Sequence, residues 1–272
     1  MKWKDDPATW ENISEGNTVH WAGDMEMNDP VYAEIIQEPA PTIQQSLADP
    51  VAQFWAKFTQ DRPELENGQL YGVRANVMDK ITVEDGVLLI PAFATDYATI
   101  RFKNSLSPGE DMDLTDDQRA FLDNLMVVGV SGYLQTDSGE MLYGVRSGPG
   151  AREGLIETVP QGLAKRDISR RLGSVLVERA MHETDLNPIT HVRNNIPTHI
   201  NVGPTYGDFT VVYSMELESE GLKGKVRAGE GHSKLFWQQP LSEDELRERR
   251  YKHNPVTVKL LEKLREDGFI KS

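Results

Sequence analysis

From Met126 to Leu134 the chain reads Met-Val-Val-Gly-Val-Ser-Gly-Tyr-Leu, a run without a single charge. It has the length of a strand, is far too short to cross a bilayer, and reads as a strand buried in a sheet. Asp137-Ser-Gly139 then turns the chain, and Met141 to Arg146 brings it back as a second strand. The loop Ser147-Gly-Pro-Gly150 follows. A short strand from Ile156 to Pro160 runs into Gln161-Gly162, and a helix is expected from about Ser169 to Thr184.

The flanks carry weaker signals. Residues 1–45 are rich in turns and contain Trp3, Trp10 and Trp21, which are expected to fasten this arm to the rest of the chain by burying a large apolar area. Val51, Phe54, Trp55 and Phe58 have helical spacing behind an Asp49-Pro50 start. Leu70–Val77 and Val87–Phe93 read as strands, the second entered through the turn Glu84-Asp85-Gly86. The polar stretch 104–114, centred on Pro108-Gly109, divides the chain into segments 1–114 and 115–272. Thr115 with Gln118, and Ser242 with Glu245, form capping boxes that open helices. Strands are expected over 189–202, 208–218 and 235–237, and a last helix from Pro255 to Glu266 stops at Gly268.

The 272 residues carry a formal net charge of −14, so the overall field does not attract nucleic acid. A phosphate ligand stays open, because a divalent cation or a local arginine cluster inverts the sign nearby. With no cysteine, disulfides, cysteine-ligated zinc, iron–sulfur clusters and thiol chemistry are all excluded. The first residues, Met-Lys-Trp-Lys-Asp-Asp, show no signal peptide and no apolar run would span a membrane. A cytoplasmic protein without a membrane partner is expected.

The segment 125–186 resembles the Nudix hydrolase family. That family's signature is G-x5-E-x7-R-E-U-x-E-E-x-G-U, with U a bulky aliphatic residue. Pro160 and Gly162 match the turn before the signature, and Glu183-Thr184-Asp185-Leu186 matches its end, with Asp185 in place of glycine. The strand pair around Tyr133–Gly139 and Leu142–Ser147, and the stretch from Asn67 to Tyr97, are also similar to a nucleotide-sugar diphosphatase subgroup. The resemblance implies an α+β fold: a Nudix-type α/β/α sandwich with a mixed sheet, preceded by a β-containing N-terminal extension. It implies hydrolysis of a diphosphate linkage in a nucleoside diphosphate derivative, with magnesium or manganese (Mg2+ or Mn2+) held on glutamates. The partner is then a small nucleotide derivative, and a homodimer is kept as an option.

Residue by residue, this sequence departs from the pattern. Glu178 stands at the arginine, Arg179 at the first glutamate of the pair, His182 at the next glutamate and Glu183 at the last. Arg170 stands where the upstream glutamate should be. Two arrangements follow. In one, Glu178, His182 and Glu183 hold the metal, Glu178 and Glu183 serve catalysis, and Arg146, Gly162 and Arg179 meet the substrate. In the other, Arg179 and Glu183, four apart on one helix face, pair with each other and replace the metal. The protein is then a non-catalytic ligand-binding or interaction protein of the same fold.

The remaining polar residues suggest ordinary roles. Glu157, on the strand entering the turn, either reaches the site or is a solvated strand residue. His191 and His199 lack metal-ligand spacing and should serve local hydrogen bonds. Glu216, Glu218 and Glu220 read as one acidic strand face, and a general base could come from there or from Glu230.

Overall fold

The structure is a computed structural model that describes residues 5–21, 31–106, 113–148, 152–205 and 207–270. Trp3 and the centre of the Pro108-Gly109 boundary lie outside the described residues, as does the middle of the Gly148–Gly150 loop.

The first part of the chain contributes helix α1 (Pro7–Glu15), strands β1 (Thr18–Trp21) and β2 (Tyr32–Glu38), and helices α2 (Thr42–Gln45) and α3 (Ala48–Phe58). Strands β3 (Gln69–Arg74), β4 (Thr82–Glu84) and β5 (Val87–Asp96) follow, then α4 (Tyr97–Lys103) and α5 (Asp116–Asn124). The second part holds β6 (Leu125–Gln135), β7 (Met141–Arg146), β8 (Ile156–Thr158), β9 (Gln161–Leu163), α6 (Leu172–Thr184) and α7 (Pro188–His191). It ends with β10 (Val192–Gly203), β11 (Asp208–Leu217), β12 (His232–Gln238), α8 (Glu243–Arg249) and α9 (Pro255–Glu266). Both expected capping boxes form, Thr115 with Gln118 and Ser242 with Glu245.

The fold is α+β, and its sheet is mixed. The main path runs β1-β10-β11-β6-β3-β5-β2, with β7 joined to the last residue of β6 and carrying β8 and β12, and β9 lying along β6. The pairs β6/β11 and β2/β5 are parallel, and the others antiparallel. Because β3 pairs with β6 (Gly72 opposite Val127), the segments on either side of residue 114 share one sheet.

Strand β6 is buried along nearly its whole length, which requires cover on both faces. The pleat sends alternate residues each way. Met126, Val128, Val130 and Leu134 join a core with Leu172, Val175, Leu176 and Ala180 of α6. Tyr133 faces the other way, into a core with Trp10, Val258, Leu261 and Leu264 of α1 and α9. Leu125 and Val127 meet α3, α4 and α5. The result is helix, sheet, helix. Trp10 does fasten the arm: it is 1 % exposed, and its indole nitrogen donates to the His253 carbonyl at 2.8 Å. Among the described residues no helix is long and apolar enough to cross a membrane.

Two local expectations change. Gln161-Gly162 is not a free glycine turn: the pair belongs to β9, in register with Ser131 and Val130 of β6. A three-residue strand containing glycine carries no alternation for a sequence reading to detect. The acidic face of β11 also shrinks, because the strand ends at Leu217 and leaves Glu218 and Glu220 beyond it.

Candidate functional site

Helix α6 decides the geometry. Its inward stripe is Leu172, Val175, Leu176 and Ala180, and the same stripe continues to Glu183, which is 0 % exposed. The helix ends at Asp185 in the left-handed region, φ 59°, the conformation in which helices commonly stop. Its last carbonyls are capped from outside: Arg227, Gly229 and Glu230 donate backbone N–H groups to Thr184, Glu183 and His182, each at 3.0 Å. Gly229 must be glycine there, since a Cβ would stand 1.9 Å from the His182 carbonyl oxygen.

A carboxylate buried at a helix end needs hydrogen-bond donors. Glu183 finds two. Its Oε2 accepts from the Gln161 backbone N–H at 2.9 Å, and its Oε1 accepts from Arg179 Nη2 at 2.9 Å. Arg179 also donates from Nε to the Gln161 carbonyl at 3.2 Å. The three bonds close a circuit that locks β9 to the last turn of α6. Gly162 makes room for it, because a Cβ there would lie 2.5 to 2.7 Å from Cγ, Cδ and Nε of Arg179. Burial pushes the Glu183 carboxyl up, and the charge of Arg179 and the Gln161 N–H only partly offset it.

A second buried carboxylate lies before the turn. Glu157 of β8 is 0 % exposed, so of its two expected roles the solvated one is excluded. Its Oε1 accepts from Arg146 Nη1 at 3.2 Å and from His232 Nε2 at 3.1 Å, and its Oε2 from Asn254 Nδ2 at 3.1 Å. Arg152 stands 3.9 Å from the same carboxylate. Burial alone would raise this group. The His232 hydrogen bond and the charges of Arg152, Arg146 and His232 outweigh it and hold the group at about 2. The charge of His232 also bears on Glu183, so the two carboxylates border one region.

Glu178 and His182 occupy the open side of α6, their side chains 38 % and 52 % exposed and 4.0 Å apart. The structure thus separates the three expected metal ligands. Glu178 and His182 stay together, but Glu183 turns inward and spends an oxygen each on Arg179 and Gln161. Among the described residues no group of three or more His, Asp or Glu side chains could hold a metal ion. The inner donors therefore do not fit a cation while Arg179 is in place. Arg146 and Arg179 each keep part of the side chain in solvent, 26 % and 22 %. Gly162, expected to meet substrate, lies under Arg179.

The other polar residues behave locally. His191 accepts from the Asn187 N–H, and His199 meets Asp267. Glu216 pairs with Arg193, and Glu220 with Lys223. Hollows of about 720 Å³ beside Phe121, about 530 Å³ between α8 and α9, and about 440 Å³ beside Trp55 lie elsewhere. None of these three includes any residue of the two carboxylate clusters. Sequence reading missed His232 and Asn254 entirely, and no spacing signals them, since they lie 75 and 97 residues from Glu157.

No family model matches the chain, and no curated protein matches it. Among solved structures it is similar to the E. coli ORF135 protein, with 24 % identity, 53 % of this chain and 93 % of that one covered, and a TM-score of 0.36. It is similar to the MutT protein from Methanosarcina mazei Go1 at 16 % identity, covering 52 % and 94 %, TM-score 0.37. It is also similar to a bifunctional NMN adenylyltransferase/ADP ribose pyrophosphatase from Francisella tularensis, in complex with AMP and manganese, at 14 % identity, covering 66 % and 64 %, TM-score 0.38.

Proposed function

We propose that the chain is a Nudix-type pyrophosphohydrolase that cleaves a diphosphate linkage in a nucleotide derivative, over the surface formed by α6, β7 and β9. The observation that carries this reading is the Glu178–His182 pair, 4.0 Å apart on the open side of α6, one residue away from the half-buried Arg179. Cation ligands and a phosphate-binding guanidinium thus come from the same helical turn. Hard divalent cations are commonly held by one or two protein side chains together with the substrate's own phosphates. A cation carried in with the diphosphate would neutralise phosphate charge and lower the pKa of its bound water.

The chain's own groups have separate tasks. Arg146 and Arg179 bind phosphate oxygens through the parts of their guanidinium groups that reach solvent. Glu157 and Glu183 are positioning residues that fix those two arginines. Glu178 and His182 hold the cation side of the diphosphate. The second reading, a non-catalytic ligand-binding protein of the same fold, is favoured by the closed Glu183–Arg179–Gln161 circuit, which removes one acid from service.

The test is release of monophosphate from a panel of nucleotide sugars and related diphosphates, with magnesium and then manganese. Turnover is expected, with loss of roughly 100-fold or more in Glu178→Gln, where a cation ligand is removed. Arg146→Ala should raise KM more than it lowers kcat. Absence of turnover with either cation, combined with ligand-induced thermal stabilisation, would establish the second reading.

A further inference from the structure

We infer that the Arg179 guanidinium is the resident cation of the α6–β9 junction, occupying the two oxygen donors, Glu183 and the Gln161 carbonyl, that a divalent ion would otherwise take. A buried carboxylate and a backbone carbonyl converging on one point form the donor set of a hard cation. Here the point is filled by the chain itself. Arg179 donates from Nη2 to Glu183 and from Nε to Gln161, at 2.9 and 3.2 Å.

Three features distinguish this from a surface ion pair at helical spacing. Glu183 is completely buried, whereas exposed pairs of this kind have little effect on stability. Gln161 both accepts from the guanidinium and donates to the carboxylate, so the strand is part of the circuit. Gly162 leaves the room the Arg179 side chain occupies, since a Cβ there would stand 2.5 to 2.7 Å from its Cγ, Cδ and Nε. The fixed charge cannot be chelated, and it needs no metal supply. This inference does not depend on the ligand or on turnover.

Removing the guanidinium should leave Glu183 buried without a countercharge. The Glu183 oxygen and the Gln161 carbonyl are then open donors, and a divalent cation added from solution should take them. The experiment is Mn2+ titration at pH 8 followed by electron paramagnetic resonance of the free ion, paired with thermal unfolding in EDTA and in Mn2+. Arg179→Gln and Arg179→Glu should each gain a manganese site that Glu178→Gln does not remove and an added Glu183→Gln does. Their Tm, lowered in EDTA, should rise by roughly 5–10 °C at about a hundred times Kd. The wild-type chain should show no Glu183-dependent manganese binding, and Arg179→Lys should stay independent of manganese. Manganese bound by the wild type and lost in Glu183→Gln would overturn the inference. So would Arg179→Gln and Arg179→Glu chains that manganese neither binds nor restores.

Discussion

Glu157 and Glu183 stand on either side of the 158–162 segment, both fully buried, and are driven in opposite directions. Four parts of the chain aim donors or positive charge at Glu157: Arg146 from β7, Arg152 from the loop after it, His232 from β12, and Asn254 before α9. It is held at about 2. Glu183 has Arg179 and one backbone N–H, and burial still pushes it above the ordinary carboxylate value. Depth does not decide the fate of a buried acid. The number of donors and the charge they carry decide it.

The comparison breaks most visibly in stability. Glu157→Gln removes the charge that Arg146 and His232 share, at a carboxylate position that is itself fully buried, and a loss of about 3–5 kcal/mol is expected. Glu183→Gln keeps the shape and removes a charge that was costly to bury, while Arg179 can turn toward solvent. Its loss should be about 1–3 kcal/mol. Urea unfolding of both variants measures the rank, and a reversed rank would show that the donor count does not govern these sites.

The pH profile sharpens the same contrast. Glu157 has a folded pKa of about 2 against an ordinary 4.5, so its contribution is complete above 4.5 and is lost as pH falls toward 2. That acid limb should amount to roughly 3 kcal/mol and should disappear in Glu157→Gln. Glu183 has the opposite sign. Its folded pKa is raised, so the folded state keeps a proton longer than the unfolded chain does, and stability falls as pH rises past 4.5. Glu183→Gln should therefore retain the acid limb and lose that decline. Unfolding in urea between pH 3 and pH 7, roughly the usable range, separates the two.

What the sequence revealed follows the range over which each signal acts. The strand pair β6–β7, helix α6 and both capping boxes are local patterns, and all formed near their expected bounds. The inward turn of Glu183 was readable in principle: residues 172, 176 and 180 set an apolar stripe whose next member is 183. The Glu157 cluster was not readable, because β8 and β12 bring its members to β7 from distant parts of the chain. The packing at Gly162 was not readable for a related reason. Its need for a missing Cβ comes from Arg179, which lies across the space and not beside it in sequence.

The smallest effect is expected at the end of α6. Asp185 is a non-glycine residue in the left-handed region, where an L side chain is strained. Asp185→Gly removes that strain but loosens the unfolded chain, so a net gain of only about 0.5 kcal/mol is expected. The value of this variant lies in what it leaves alone. Asp185 is exposed, and it touches neither the Arg179 circuit nor the Glu157 cluster. Its urea midpoint should rise while the acid limb keeps its position and depth. A midpoint that moved together with the acid limb would mean that the helix end and the Glu157 cluster respond as one unit. In that case the opposite titration of the two carboxylates would have to be explained by their coupling, and not by the separate sets of donors around them.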